Sequence, residues 1–190
     1  MAELALQGVT LHYREDGAPD GAPVIFANSL GTDLHLWDPV LPHLPPGLRL
    51  VRFDMRGHGQ SSVPEAPYSM GMLVSDAEAL LDHLHLRAAM FVGLSIGGMV
   101  AQGLAVKRPD LLRGLVLSNT ATKIGTRQMW QDRIDAVRAD GIAVLADGVL
   151  ERWFSRDFLD SDRVKPWREM LLDQPVEGYV GCCAAIAGTD

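Results

Sequence analysis

Six residues near the middle of the chain, Gly93-Leu94-Ser95-Ile96-Gly97-Gly98, have the types and spacing that can present a nucleophile. They follow the apolar run Ala88-Ala89-Met90-Phe91-Val92 and precede a stretch of small residues, so the expected geometry is buried strand, sharp G-x-S-x-G turn, helix. Glycine at 93 and 97 suits a strand that reverses into a helix within about one turn, where the backbone crowds itself. Ser95 then stands clear of the sheet at the tip of the turn. The amides that open the next helix point outward beside it, where negative charge developing on a substrate oxygen is favoured. The bland alternative is a Gly-rich turn with a surface serine; the flanking strand and helix favour the nucleophile.

A nucleophile needs a scaffold. At 190 residues the chain supports one domain with a good core. Apolar residues at 47% and charged residues at 22% are ordinary for a globular protein. A net charge of −7, with no basic run to neutralise phosphates, argues against nucleic acid as a partner. Met1-Ala2-Glu3-Leu4 carries no basic-then-apolar leader, and no apolar run approaches the ~18 residues that span a bilayer, so a cytoplasmic protein with no membrane partner is expected. Cys182 and Cys183 are adjacent, which strains a bridge between them, and read as small core side chains. No cofactor or metal is expected.

The elements follow from apolar periodicity. Two short strands are expected between Leu4 and Arg14, the second alternating Val9, Leu11, Tyr13 against Thr10, His12, Arg14 in the manner of a partly exposed outer strand. Glu15 to Pro23 reads as a loop. Val24-Ile25-Phe26-Ala27 is a continuous apolar run, a strand covered on both faces, and it delivers Asn28-Ser29-Leu30-Gly31 to the end of the sheet where ligands bind in open α/β folds. Pro39 and Pro42 confine any helix between Leu34 and Leu44 to short pieces. A strand over Leu48 to Phe53 runs into Asp54-Met55-Arg56-Gly57-His58-Gly59, a turn in which Asp54 and Arg56 are expected to satisfy backbone groups and each other. Ser69 to His85 is an amphipathic helix, and Leu112 to Ser118 a further buried strand; the repeated strand-helix-strand spacing makes three or four of these strands parallel with right-handed crossovers. From 126 to 187 only helical stripes appear, and three of the four tryptophans fall there, which suggests a lid over the strand ends rather than helices that merely finish the core.

The order of these motifs, through Trp37-Asp38-Pro39, Arg56-Gly57-His58-Gly59, the Ser95 turn and Leu117-Ser118-Asn119-Thr120, resembles the α/β-hydrolase superfamily, and within it the 3-oxoadipate enol-lactonases. Asn28-Ser29-Leu30-Gly31, where many relatives carry His-Gly, and the stretch around Trp130 and Arg133 point to that narrower group. The resemblance implies an α/β-hydrolase core over residues 1–121, with a mostly parallel sheet and flanking helices, and a helical lid with the start of a return to the core over 122–190. It also implies a family order of serine, then carboxylate, then histidine, with the last two and the final strands lying outside these 190 residues. The six histidines offer no obvious substitute: His58 sits at the correct end of the sheet but in a structural turn, and the position after Ser118, where some relatives carry their acid, is Asn119.

What the resemblance implies for chemistry is the opening of a small anionic lactone, 3-oxoadipate enol-lactone to 3-oxoadipate, in aromatic catabolism. Ser95 is the implied nucleophile, the backbone N–H groups of Leu30 and Ile96 the oxyanion donors, Arg133 the cation for the substrate carboxylate and Trp130 an apolar wall. Alternatives are another serine-triad hydrolase (C–C bond hydrolase, esterase or perhydrolase) and a non-catalytic binding module of the same fold. The chain alone is expected to be inactive. A complementary C-terminal segment, or another chain, is expected to cover the strand Leu112 to Ser118, because an apolar edge with unpaired backbone groups invites pairing.

Overall fold

Apolar runs with turn residues at both ends produce six strands and seven helices in the computed structural model, which describes residues 2–190. In chain order they are β1 (Ala2–Leu6), β2 (Val9–Gly17), β3 (Ala22–Ala27), β4 (Leu48–Phe53), α1 (Met70–His83), β5 (Ala89–Leu94), α2 (Ile96–Lys107), β6 (Leu112–Ser118), α3 (Arg127–Asp140), α4 (Ala146–Trp153), α5 (Arg156–Leu159), α6 (Lys165–Leu172) and α7 (Val176–Ala187). Single 3₁₀ turns at Leu34–Trp37 and Leu41–His43 are all that the prolines leave between β3 and β4. Two helices start where a side chain satisfies a free amide: Ser69 accepts from the Met72 N–H at the start of α1, and Thr126 from that of Met129 at the start of α3.

The strands form one sheet in the order β1-β2-β4-β3-β5-β6. β1 and β2 run antiparallel, as do β2 and β4; β4, β3, β5 and β6 are mutually parallel. The chain leaves β3 toward β4 on one side and returns to β5 on the other. Such a reversal opens a crevice beyond the carboxyl ends of β3 and β5, where an open α/β sheet binds its ligand. One sheet face, with Ile25, Ala27, Val51, Phe53, Ala89 and Phe91, packs against α1 and α2 in the main core, which continues into α3 and α7. On the other face Val24, Phe26 and Leu50 lie under Trp37, while Met90, Val92 and Leu94 remain half-buried. Among the described residues no helix is long and apolar enough to cross a membrane.

Four expectations fail locally. The loop expected over Glu15 to Pro23 shrinks to residues 18–21, because pairing with β4 carries β2 on to Gly17 and starts β3 at Ala22. His12 is buried, not outward-facing: β2 is an inner strand, and the His12 ring meets the Asp54 carboxylate at 2.8 Å. Asp54 and Arg56 do not pair; Asp54 accepts from the amides of Leu34 (2.7 Å) and Gln60 (3.0 Å), and Arg56 makes a bidentate contact with Asp76 on α1, both bonds 2.6 Å. No residue of β6 is fully buried, because β5 pairs with only one of its edges and no strand among the described residues pairs with the other.

Candidate active site

Ser95 joins β5 to α2 with φ 55° and ψ −116°, a backbone conformation that L-residues avoid. Such strain, on the order of 1–3 kcal/mol, persists only where neighbours over-determine it. Here the Ser95 N–H donates to Ser118 O at 2.9 Å, and its carbonyl accepts from Gly98 N (2.9 Å) and Thr120 Oγ1 (2.7 Å). The glycines make the turn possible: a Cβ on Gly97 would collide with the Ala27 carbonyl, and one on Gly93 with that of Gly97.

The pairing of Ala27 with Gly93 sets the segment after β3 beside this turn. Ser29, Leu30, Thr32 and Ser95 line one side of a cavity of about 460 Å³; its other walls come from the helices beyond β6 and include Met129, Trp130, Arg133, Val149, Arg152, Trp153, Phe154, Trp167 and Tyr179. Ile96 buries its side chain completely. Among the described residues the backbone N–H groups of Leu30 and Ile96 donate to no protein group, which leaves two amides free next to Ser95.

Trp130 and Arg133 lie one turn apart on α3. The Arg133 guanidinium stands 5.1 Å over the Trp130 ring, whose Nε1 donates to Ile124 O at 2.6 Å. Arg133 also donates to the Tyr179 hydroxyl of α7 at 3.1 Å. Burial pushes the Tyr179 phenol up to about 12, so it stays neutral and keeps a proton to donate. Among the described residues neither Arg133 nor Arg152 pairs with a carboxylate. Two unneutralised cations in an otherwise apolar and hydroxyl-lined cavity make it suited to an anion.

Among the described residues no histidine, aspartate or glutamate lines the cavity. His35, His43, His83 and His85 are exposed, His12 is held by Asp54, and His58 is fully buried behind the Leu30 loop. Thus Ser95, Leu30, Trp130 and Arg133 come together, with the Ile96 amide beside them. Tyr179 and Arg152 escaped the sequence reasoning. Arg152 adjoins Trp153 in the α4 stripe, a signal that was available; Tyr179 lies 46 residues beyond Arg133 in an apolar helix and gave none.

A family model described as the alpha/beta hydrolase fold matches residues 22–143. The chain belongs to the α/β-hydrolase family. It is 38% identical to 3-oxoadipate enol-lactonase 2 of Acinetobacter baylyi over 189 residues, covering 98% of this chain and 71% of that protein. Among solved structures it superposes on a hydrolase from Pseudomonas aeruginosa with TM-score 0.95 at 41% identity, covering 100% of this chain and 73% of that one. The enol-lactonase from Burkholderia xenovorans gives TM-score 0.94 at 39% identity, with 100% and 74% covered. This α/β-hydrolase therefore has hydrolase relatives that match it along essentially its whole length.

Proposed function

We propose that this α/β-hydrolase opens a small anionic lactone, with 3-oxoadipate enol-lactone as the substrate and 3-oxoadipate as the product. The observation that carries the reading is one cavity lined by Ser95, Leu30 and an unneutralised arginine pair, with the free amide of Ile96 next to Ser95 in the chain. The names of the enol-lactonases of Acinetobacter and Burkholderia support the choice of lactone.

Ser95 Oγ attacks the lactone carbonyl carbon and its proton passes to a base. The carbonyl oxygen takes up the electron pair and rests on the Leu30 and Ile96 amides. When the ring C–O bond breaks, the enol oxygen leaves with a proton, and water then cleaves the acyl-serine to a carboxylate and free Ser95. Arg133 holds the substrate carboxylate against the Trp130 wall. No side chain lining the cavity can serve as that base, so it comes from a complementary segment or another chain. The same segment would cover β6 and the half-buried Met90, Val92 and Leu94.

The test is fluorophosphonate labelling, alone and with the complementary segment, followed by lactone-opening assays. The expected result is labelling at Ser95 and lactone turnover that need the segment and vanish in Ser95→Ala. Absence of labelling in the complemented protein removes the serine-hydrolase reading; labelling with ester but no lactone turnover leaves a hydrolase of another substrate.

A further inference from the structure

His58 is the least accessible histidine of the chain, 0% exposed, in the loop after β4. Its Nε2 accepts a hydrogen bond from the Gly31 N–H at 3.1 Å. An accepting Nε2 carries no proton, so the ring proton of the neutral imidazole sits on Nδ1. Nδ1 faces the Arg56 carbonyl at 3.4 Å and the Cys182 Sγ of α7 at 3.9 Å. Burial pushes the His58 pKa down to about 4 against the weaker opposing pull of the Arg56 carbonyl and Asp54, and burial likewise keeps the Cys182 thiol protonated.

The bond from Gly31 acts on the residue that matters. Ser29 O accepts from both Thr32 Oγ1 (2.8 Å) and Thr32 N (3.3 Å). In a planar trans peptide the Ser29 carbonyl and the Leu30 N–H point in opposite directions, so tying down the carbonyl aims the amide. The next peptide, Leu30 to Gly31, is held by His58. Leu30 therefore sits between two pinned peptide planes, and its free N–H has little freedom to turn.

We infer that His58 is a positioning residue: as an Nδ1–H tautomer it holds the Gly31 amide and so fixes the direction of the Leu30 oxyanion donor, while its other ring nitrogen ties that loop to α7. The inference rests on the hydrolase reading for its catalytic consequence, but the tautomer and the anchored loop stand apart from it. A histidine that merely fills space would tolerate an aromatic ring of similar size; an anchor needs an acceptor at the Nε2 position.

The experiment uses the complete, active enzyme with His58→Phe, which fills the space without an acceptor, and His58→Gln, which places an amide oxygen near Nε2. His58→Phe is expected to lower kcat by about tenfold to a hundredfold with KM within about twofold, since losing one oxyanion donor outright costs about 10²–10³ in rate. His58→Gln is expected to stay within about threefold of wild type in kcat, and to bind a boronic acid, which mimics the tetrahedral oxyanion, as wild type does, whereas His58→Phe binds it more weakly. Nitrogen NMR of the His58 ring in the wild-type protein should show a proton on Nδ1 and none on Nε2. A ring protonated on Nε2, a His58→Phe kcat within twofold of wild type, or equal losses in the two variants would each overturn the inference. Should His58→Phe not fold, the tautomer and the His58→Gln kinetics decide. A wild-type Ser95 inert to fluorophosphonate, with the ring still protonated on Nδ1, instead removes the hydrolase reading and the oxyanion role with it, and leaves a loop anchor.

Discussion

Arg133 has a half-exposed guanidinium whose neighbours are an indole face and a phenol, not a carboxylate. A cation left in that state can take a substrate carboxylate without giving up an existing ion pair. Because the bond is made equally in the ground and transition states, its loss belongs in KM. Arg133→Ala is expected to raise KM by roughly thirtyfold, the equivalent of about 2 kcal/mol for a charged hydrogen bond, and to change kcat by less than about threefold. Steady-state kinetics on the lactone check it; a fall in kcat at constant KM would place Arg133 elsewhere in the mechanism. His58 supplies a second test at this scale. An unfolded histidine takes up its proton near its ordinary value of 6.5, and the buried one only near 4. Between those values the unfolded state binds more protons. The contribution of neutral His58 is therefore intact above about pH 6.5, falls as pH drops toward 4 and then levels off. Urea unfolding at pH 7 and pH 4 should show wild type losing about 3 kcal/mol more than His58→Gln over that interval. Equal losses would mean that the ring is free to protonate in the folded protein.

Elements place these residues through close backbone contact, and glycine is where the contact is tightest. At Gly97 the neighbour of a new Cβ is the Ala27 backbone, which cannot rotate away, so Gly97→Ala must push α2 off β3. A loss of about 3 kcal/mol or more in denaturant unfolding is expected. Gly148 on α4 is the control: a Cβ there meets nothing within 4 Å, and Gly148→Ala should stabilise the protein by about 0.5–1 kcal/mol, since alanine loses less backbone entropy in a helix. Opposite signs from one substitution type would show crowding, not helix propensity, deciding at the serine turn. The same distinction separates what sequence revealed from what it hid. The parallel strands, the amphipathic α1 and the Ser95 turn carry their signal in a few consecutive residues, so periodicity and spacing sufficed. The burial of His12 leaves no local signal, because it comes from the strands on both sides of β2 and from Asp54, 42 residues away; nor does the pairing of Arg56, whose partner Asp76 is 20 residues away on another element. Cavity walls such as Tyr179 are assembled the same way, by tertiary contact that leaves no local pattern.

At the scale of the molecule the sheet is unevenly covered. α1 and α2 close one face, but on the other face cover thins toward β5, and at β6 both faces are open, Val116 on one being 47% and Leu117 on the other 44% exposed. β6 also presents an edge whose backbone groups have no strand partner among the described residues. Globular proteins blunt such edges with charge, proline or a bulge; β6 has a charge and a register shift only at its start, at Arg113, and its apolar centre, Leu115-Val116-Leu117, has none of these. A protein consisting of these residues alone is thus expected to self-associate through β6, and Val116→Lys should suppress this, because the lysine opposes edge pairing and meets water at a position already half open. Light scattering against concentration reads the association, and thermal unfolding shows that Val116→Lys has not changed the fold. Adding a segment of about 70 residues, the length of two strand-helix units, should abolish association in the unmutated protein and raise its Tm, since a ligand of the folded state alone stabilises by mass action. A stable monomer at high concentration with Val116 still exposed would sink the idea that a complementary chain covers this edge, and would leave the base for Ser95 to be sought elsewhere.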